Sequence, residues 1–362
     1  MAIRMLNPKL QKVMLCIGFT SLSWLLLASF SPLLHAQYMA LAIKALPAWT
    51  AKEIAVIVND SDYQSVQVGQ YYQEKRNVPP NQIIHVSFKT GVQSLSEAEF
   101  KAIKQQVDKQ TPANVQGYAL TWLLPFRVDC MSITTAFADG FDKKYCATGC
   151  VQTHRNPYFN SASSRPYNDF HWRPTMMLAA KDFAAAKRLI DRGIASDNSH
   201  PEGSAYLLKT TDSARSSRAY FFPDVVKKFT AIFATNYLEK NFIEKRPDVM
   251  FYFTGLMHVQ RINRNNYLPG AVADHLTSAG GVLTGSSQMS ILEWLEAGVT
   301  GSYGAVVEPC NFPEKFSNPG VLMDYYLRGN TLIEAYWKSV AEPGQGVFVG
   351  EPLAKPFAKP VP

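Results

Sequence analysis

Short apolar runs alternate with amphipathic stretches along most of this 362-residue chain. The first run, residues 54–58, is rich in β-branched side chains and ends at an Asn-Asp pair, which predicts a buried strand. Residues 94–110 carry apolar side chains at helical spacing, and Ser94 stands three residues before Glu97 as a capping box. Strands that alternate with helices predict a mostly parallel sheet with helices on both faces, an α/β fold.

The same alternation continues to the end of the chain. We expect further strands at residues 83–86, 115–124, 175–180, 204–209, 248–254, 282–284, 303–307 and 347–349, the last of them at an edge of the sheet. We expect further helices at residues 62–76, 182–194, 222–240, 287–297, 319–328 and 332–340.

Residues 128–173 interrupt this rhythm with three cysteines and many glycines, asparagines and aromatic residues. A loop of this length inside a compact domain is usually functional or covalently fixed. We therefore divide the chain into two α/β halves, residues 37–127 and 174–357, around a loop-rich insertion fixed by disulfides. The proline-rich end, from Lys355 and above all 358–362, is expected to be loose.

The first 36 residues have the pattern of a bacterial export signal. Arg4, Lys9 and Lys12 precede an apolar stretch, and Ala36 offers a small residue for cleavage. We expect cleavage near Ala36 and a periplasmic or secreted protein. The alternative is an uncleaved segment that anchors the protein, which is the only membrane association we expect.

Export places the remaining cysteines in an oxidising compartment. Cys130, Cys146, Cys150 and Cys310 are even in number and allow three disulfide pairings. A local bridge between Cys146 and Cys150 would leave Cys130 to pair with Cys310. The alternative is a metal site, because His154 follows Cys150 at a ligand-like spacing, although no standard zinc pattern is matched.

Charge gives no indication of a nucleic-acid partner. The net charge is +7, and without residues 1–36 the chain has 33 basic and 29 acidic residues, or +4, in mixed order. The glycines at 298, 301 and 304 are not placed between a strand and a helix, so they are not a dinucleotide fingerprint. We expect no nucleic acid, cofactor or metal.

Polar residues follow several of the predicted strands. The carboxyl ends of parallel strands meet at one edge of a sheet, where α/β proteins bind ligands. The sequence therefore predicts a binding cleft at that edge, although each residue could instead only cap a helix or form a turn. The candidate binding residues are Asn59, Asp60, Arg127, Thr254, Gln288 and Glu308.

Several segments resemble a family of exported bacterial proteins of unknown function. They span most of residues 54–357, and include Val58-Asn59-Asp60-Ser61, residues 173–178, residues 268–278, residues 301–310 and Gly350-Glu351-Pro352-Leu353. The second half is also similar, more distantly, to the caspase-like fold of gingipain-type cysteine peptidases. That likeness implies a sheet of the caspase-like or flavodoxin-like kind.

In those peptidases one strand ends in a His-Gly pair and the next in the nucleophilic cysteine. Here residues 249–253 are followed by Thr254-Gly255, and the strand predicted at 282–284 ends without a cysteine. The candidate dyad is therefore a displaced one, His258 with Cys310. A serine at 286 or 287 with His258 or His275 is a weaker option, because no nucleophile elbow is present.

Three functional hypotheses follow. The first is a caspase-like domain that lacks the peptidase dyad and binds a peptide or glycan in the cleft, without enzymatic activity. The second is a cysteine peptidase or hydrolase that uses His258 and Cys310. The third is a structural assembly factor of the cell envelope.

Overall fold

The structure is a computed structural model that describes residues 45–359. The predicted export segment and the last three residues of the chain lie outside this part. Its strands are β1 Ile54–Asn59, β2 Ile83–Val86, β3 Ser94–Leu95, β4 Gly117–Leu120, β5 Arg127–Val128, β6 Met131–Ser132, β7 Thr175–Met177, β8 Ser204–Lys209, β9 Ala234–Glu239, β10 Val249–Thr254, β11 Tyr267–His275, β12 Gly301–Ala305 and β13 Gly346–Gly350. Its helices are α1 Tyr63–Arg76, α2 Glu97–Gln110, α3 Ile133–Asp139, α4 Pro166–Phe170, α5 Phe183–Ser196, α6 Phe222–Phe229, α7 Leu292–Ala297, α8 Pro319–Leu327 and α9 Leu332–Ser339.

Within the described residues, ten strands form one mostly parallel sheet in the order β2-β1-β4-β7-β13-β12-β11-β10-β8-β9. The short strands β3, β5 and β6 form a second, small sheet. β13 runs antiparallel to β12 through five residue pairs, from Gly301–Gly350 to Ala305–Gly346. The sheet confirms the α/β fold, with helices packed on both faces.

β13 alone among these ten strands points the opposite way. Its single bridge to β7, Val349 with Met177, has the parallel pattern, but the chain on either side of the bridge does not follow β7. Glu351, just past β13, binds Arg76 at the end of α1, with 2.5 Å between Oε2 and Nη2. A helix that follows a parallel strand returns to the amino end of that strand, so β13 ends at the amino edge of the sheet.

The two halves of the sheet share the same direction. At the amino edge, Arg192 late in α5 donates to the carbonyl of Val299, just before β12, at 2.6 Å. At the carboxyl edge, Gln93 after β2 donates to the carbonyl of Thr284, in the loop after β11, at 2.9 Å. The loops after β1, β2, β4, β8, β10, β11 and β12 therefore lie along one edge.

The helices α1 and α2 pack on opposite faces of the sheet. Gly69 of α1 lies so close to Val58 that a Cβ at this glycine would be 2.5 Å from the valine Cγ2. On the other face, Phe100 of α2 packs edge-to-face on Phe137, which also contacts Tyr118 of β4. Because β1 leads to β2 on one side and the chain then crosses to β4 on the other, the gap between β1 and β4 is the switch point of the topology.

Three predicted elements are wrong. Residues 282–284 form no strand, and the strand next to β10 is instead β11, whose pairing with β10 shifts register around Pro269-Gly270. The helix predicted at 222–240 ends at Phe229 and is followed by strand β9. β13 is not an edge strand, since it lies between β7 and β12 and is fully buried.

Disulfides hold the insertion, with a pairing that differs from the one we favoured. Cys130 is bonded to Cys146, and Cys150 is bonded to Cys310, with Cα–Cα distances of 5.5 and 5.6 Å. The local Cys146–Cys150 bridge and the Cys130–Cys310 bridge are both wrong. The second disulfide fastens the insertion to the loop after β12.

The end of the chain is ordered further than we expected. Phe357 packs edge-to-face on Phe233 and Tyr326, and Ala358 is buried. The proline-rich composition from Lys355 onwards indicated a loose tail, but these side chains fill a gap beside β10 and α8.

Candidate functional site

Two of the predicted binding residues, Asn59 and Asp60, follow β1 at the switch point. The side chain of Asn59 is buried, where its Oδ1 accepts from the backbone N–H groups of Ser61 at 3.2 Å and Phe88 at 3.1 Å. Asp60 is exposed and its Oδ1 lies 2.6 Å from Nδ1 of His85. Asn59 therefore joins the loops after β1 and β2 and shapes the cleft above it, without reaching a ligand itself.

Arg127 and Glu308 do not reach this cleft. Arg127 belongs to β5 in the small sheet. Glu308 is exposed after β12, and its Oε1 accepts from the backbone N–H of Cys310 at 2.7 Å, which forms a local turn. Neither residue approaches the other predicted binding residues through a hydrogen bond or ion pair.

Thr254 and Gln288 support loops in the second half of the sheet. The carbonyl of Thr254 accepts from Arg218 at 2.9 Å, deep below the surface. Gln288 accepts through Oε1 from the Thr277 hydroxyl at 2.7 Å and the Ala279 N–H at 2.8 Å. Asn59, Asp60, Thr254 and Glu308 lie at or just after the carboxyl ends of β1, β10 and β12, but the six candidate residues do not form one site.

The candidate dyad lacks its nucleophile. The sulfur of Cys310 is bonded to Cys150 and has no thiolate with which to attack a peptide bond. The candidate zinc site is affected in the same way, because Cys146 and Cys150 are each in a disulfide. In residues 45–359, no group of three or more His, Cys, Asp or Glu side chains could hold a metal ion.

His275, the other histidine considered as a catalytic base, is buried and hydrogen-bonded through both ring nitrogens. Its Nδ1 accepts from the Trp294 indole at 2.9 Å, so the ring proton lies on Nε2, which is 3.1 Å from the carbonyl of Met289. Burial lowers the pKa of His275 to about 3. A histidine held neutral by two fixed partners is unavailable as a proton shuttle.

Sequence reasoning missed a buried ion pair below the same edge. Nη1 of Arg218 lies 2.6 Å from Oδ1 of Asp274 on β11, and Oδ2 of that carboxylate accepts from the Ser317 hydroxyl at 2.5 Å. Both charged side chains are only 2% exposed. The pair joins the segment after β8 to β11 and the loop before α8, so its role is to hold three segments together.

The cavity with the strongest claim to a ligand opens at the switch point. It has a volume of about 360 Å³. The loops after β1, β2 and β4 supply its lining: Ser61, Asp62, Tyr63, Gln64, Thr90, Gly91, Leu123 and Leu124. This is the position in an open α/β sheet where the crossover connections diverge and leave a crevice.

The first turn of α1 forms one wall of this switch-point cleft. Asp62 caps the helix, since its Oδ1 accepts from the Gln64 N–H at 3.0 Å. Gln64 in turn donates to the carbonyl of Ala180 at 2.9 Å, which fixes its side chain. The ring of Tyr63 is left 78% exposed at the rim.

The lining of the cleft is amphipathic and weakly acidic. Its lining combines an exposed aromatic ring, the hydroxyls of Ser61 and Thr90, one carboxylate and one amide, without a lysine or arginine. Exposure of Tyr63 has no signature in the sequence, but its place directly after the strand-end polar run could have identified it.

The described part of the chain contains no helix that is long and apolar enough to span a membrane. Its disulfides indicate an oxidising, extracytoplasmic environment. A scan against protein-family models, a search of curated proteins and a search of solved structures each found no match to this chain.

Proposed function

We propose that this protein is an exported, non-catalytic carbohydrate-binding protein whose ligand occupies the switch-point cleft. The observation that carries the proposal is the exposed Tyr63 ring at the rim of a crevice lined by hydroxyl, amide and carboxylate groups. Sugars present apolar ring faces and many hydroxyls, so they match an aromatic surface beside hydrogen-bonding groups.

The charge of the residues that line the cleft favours a glycan over an acidic ligand. Asp62 is the only charged residue among those that line the cleft. A carboxylate accepts hydrogen bonds from sugar hydroxyls but repels phosphates and acidic side chains. The cleft therefore favours a neutral sugar.

The two disulfides support a location outside the cytoplasm. We propose that residues 1–36 direct export and are removed near Ala36, which places the mature protein in the periplasm or the medium. The resemblance to exported bacterial proteins and the caspase-like comparison remain parts of this proposal.

The absence of a peptidase dyad is supported by the disulfide at Cys310, since oxidation removes the proposed nucleophile. A peptide remains the other ligand class that we predicted for this edge. A role in envelope assembly would leave the cleft without a small-molecule ligand.

Substitution Tyr63→Ala tests the proposal. We expect neutral oligosaccharides from a glycan array to bind the wild-type protein, and Tyr63→Ala to weaken binding of the best of them about fivefold, because an aromatic contact contributes about 1 kcal/mol. Isothermal titration calorimetry measures the dissociation constants. Tyr220→Ala is the control, because Tyr220 is 84% exposed and lies outside the cleft.

Three results would contradict the proposal. One is equal affinity of the wild type and the Tyr63→Ala variant for the selected sugar. Another is binding of peptides from a parallel library with no sugar bound. The last is hydrolysis of a peptide substrate by the oxidised wild-type protein.

A further inference from the structure

A second cavity opens at the far end of the same sheet edge. It has a volume of about 720 Å³. It is lined by residues that end β8 and β9 and by the loop that leads to β10: Lys209, Thr210, Thr211, Glu239, Lys240, Asn241, Phe242, Ile243, Glu244 and Arg246. In the order of the sheet, β1 and β4 are second and third, whereas β8 and β9 are ninth and tenth. Neighbouring strands are about 4.8 Å apart, so the two cavities are separated by about 34 Å.

The acidic residues of this second cavity are already paired. Glu239 forms an ion pair with Lys209, with 3.1 Å between Oε1 and Nζ. Glu244 lies 2.8 Å from Arg261 and 3.5 Å from Arg264, neither of which lines the cavity. No carboxylate in the lining is left to neutralise a further cation.

Two cations of the lining are unneutralised. Lys240 is exposed and makes no ion pair among residues 45–359, and the same holds for the guanidinium of Arg246. Arg246 instead stacks over the ring of Tyr206, with its Cζ 5.6 Å from the ring centroid. Stacking fixes the plane of a guanidinium while leaving its edge free to form hydrogen bonds.

An oriented amide adds a neutral donor. Oδ1 of Asn241 accepts from the backbone N–H of Thr211 at 2.8 Å and from its hydroxyl at 3.1 Å. The N–H donor fixes which end of the amide is oxygen, so Nδ2 is directed away from Thr211. That nitrogen has no hydrogen-bond partner in the described part of the chain.

We infer that this second cavity is an anion-binding site that takes a carboxylate- or phosphate-bearing ligand. Lys240, Arg246 and Asn241 supply donors only, and a carboxylate or phosphate oxygen is the acceptor that such a set binds. Phe242 and Ile243 give the cavity an apolar wall for the body of the ligand. The site is independent of the cleft proposed above, whose lining is neutral or acidic.

An NMR titration of the mature chain tests this inference. Sodium phosphate and galacturonic acid are the two probes, added at constant ionic strength with sodium chloride as the reference. We expect saturable shifts of the backbone amides of Thr210, Thr211 and Asn241 with at least one probe. Saturation by galacturonic acid alone identifies a carboxylate ligand, whereas saturation by phosphate identifies the tetrahedral anion.

Three variants distinguish a specific anion site from general charge attraction. Lys240→Gln with Arg246→Gln should weaken probe binding at least tenfold. The matched control, Lys101→Gln with Lys227→Gln, removes the same charge from exposed helix positions and should leave it unchanged. Asn241→Asp keeps the acceptor for Thr211 but adds a negative charge, and should abolish binding.

The inference is overturned if neither probe gives saturable shifts, or if the control pair weakens binding as much as the cavity pair. Tyr63→Ala should leave anion binding intact, and the cavity pair should leave sugar binding intact. Failure of one proposal is therefore distinguishable from failure of the other.

Discussion

Single residues in this protein show how burial decides between structural and chemical roles. His275 ends a central strand at the carboxyl edge of the sheet, a position that suggests chemistry. Its two ring nitrogens are nevertheless engaged by Trp294 and Met289, and the ring is buried. Arg218 and Asp274 are charged, but they are enclosed as a pair. At the switch point, by contrast, the aromatic ring of Tyr63 is 78% exposed.

His275 should make the protein sensitive to acid. Its pKa is about 3 in the folded protein, below the ordinary value of 6.5, because burial disfavours the charged ring. Between pH 3 and pH 6.5 this histidine is protonated in the unfolded chain but not in the folded protein. The stability that comes from burying the neutral ring is therefore complete above pH 6.5 and is lost as the pH falls. The free energy of unfolding should decrease by about 1.4 kcal/mol per pH unit well below pH 6.5.

The variant His275→Gln isolates this contribution. Glutamine can donate to Met289 and accept from Trp294 without titrating. Urea unfolding between pH 4.5 and 7 should show a smaller loss of stability on acidification for His275→Gln than for the wild type. His258→Gln, at an exposed position, should follow the wild type. Parallel curves for all three proteins would show that His275 does not drive the acid response.

At the scale of elements, the sequence predicted those strands and helices whose periodicity is uninterrupted. β8 has the predicted bounds, and Asp182 caps α5 as expected. β11 was missed because Pro269 and Gly270 are typical of a turn, whereas in the sheet they occupy a shift in register that parallel neighbours tolerate. A local sequence pattern cannot show that the neighbouring strands accommodate these two residues.

The candidate site was predictable only in part. Polar residues after strands led us to expect a cleft at the carboxyl edge. The strand order decides which loops meet there, and it places Asn59 beside the loops after β2 and β4 but Thr254 several strands away. The antiparallel β13 lies between these groups. Order is set by crossovers over long distances in the chain, so spacing within the sequence could not reveal it.

The contact between α1 and β1 gives a prediction at this scale. Gly69→Ala would ordinarily stabilise a helix by about 1 kcal/mol, but here the added methyl would meet Cγ2 of Val58 at 2.5 Å. We expect the variant to lower the free energy of unfolding by about 1–3 kcal/mol, as overpacking does. Chemical denaturation measures the change.

The double variant Gly69→Ala with Val58→Ala provides the control. Removing the valine methyls makes room for the new one, so the double variant should be more stable than the sum of the single changes predicts. Simple additivity of the two effects would mean that α1 moves away from the sheet without strain.

At the scale of the whole molecule, the two disulfides should contribute unequally to the free energy of unfolding. Cys130 and Cys146 are 16 residues apart, whereas Cys150 and Cys310 are 160 residues apart. A crosslink stabilises mainly by restricting the unfolded chain, and the longer loop loses more entropy. The longer bridge also fastens the insertion to the loop after β12.

We therefore expect Cys150→Ala with Cys310→Ala to lower the free energy of unfolding by about 5 kcal/mol, and Cys130→Ala with Cys146→Ala by about 3 kcal/mol. The comparison is matched, because none of the four cysteines is buried and little cavity is created. Equilibrium urea unfolding of both variants gives the two differences. An equal or larger loss for the shorter bridge would show that native contacts, rather than the entropy of the unfolded chain, determine what each disulfide contributes. In that case the insertion would be held mainly by its own packing, with Asn156 donating to the carbonyl of Trp337 at 2.7 Å.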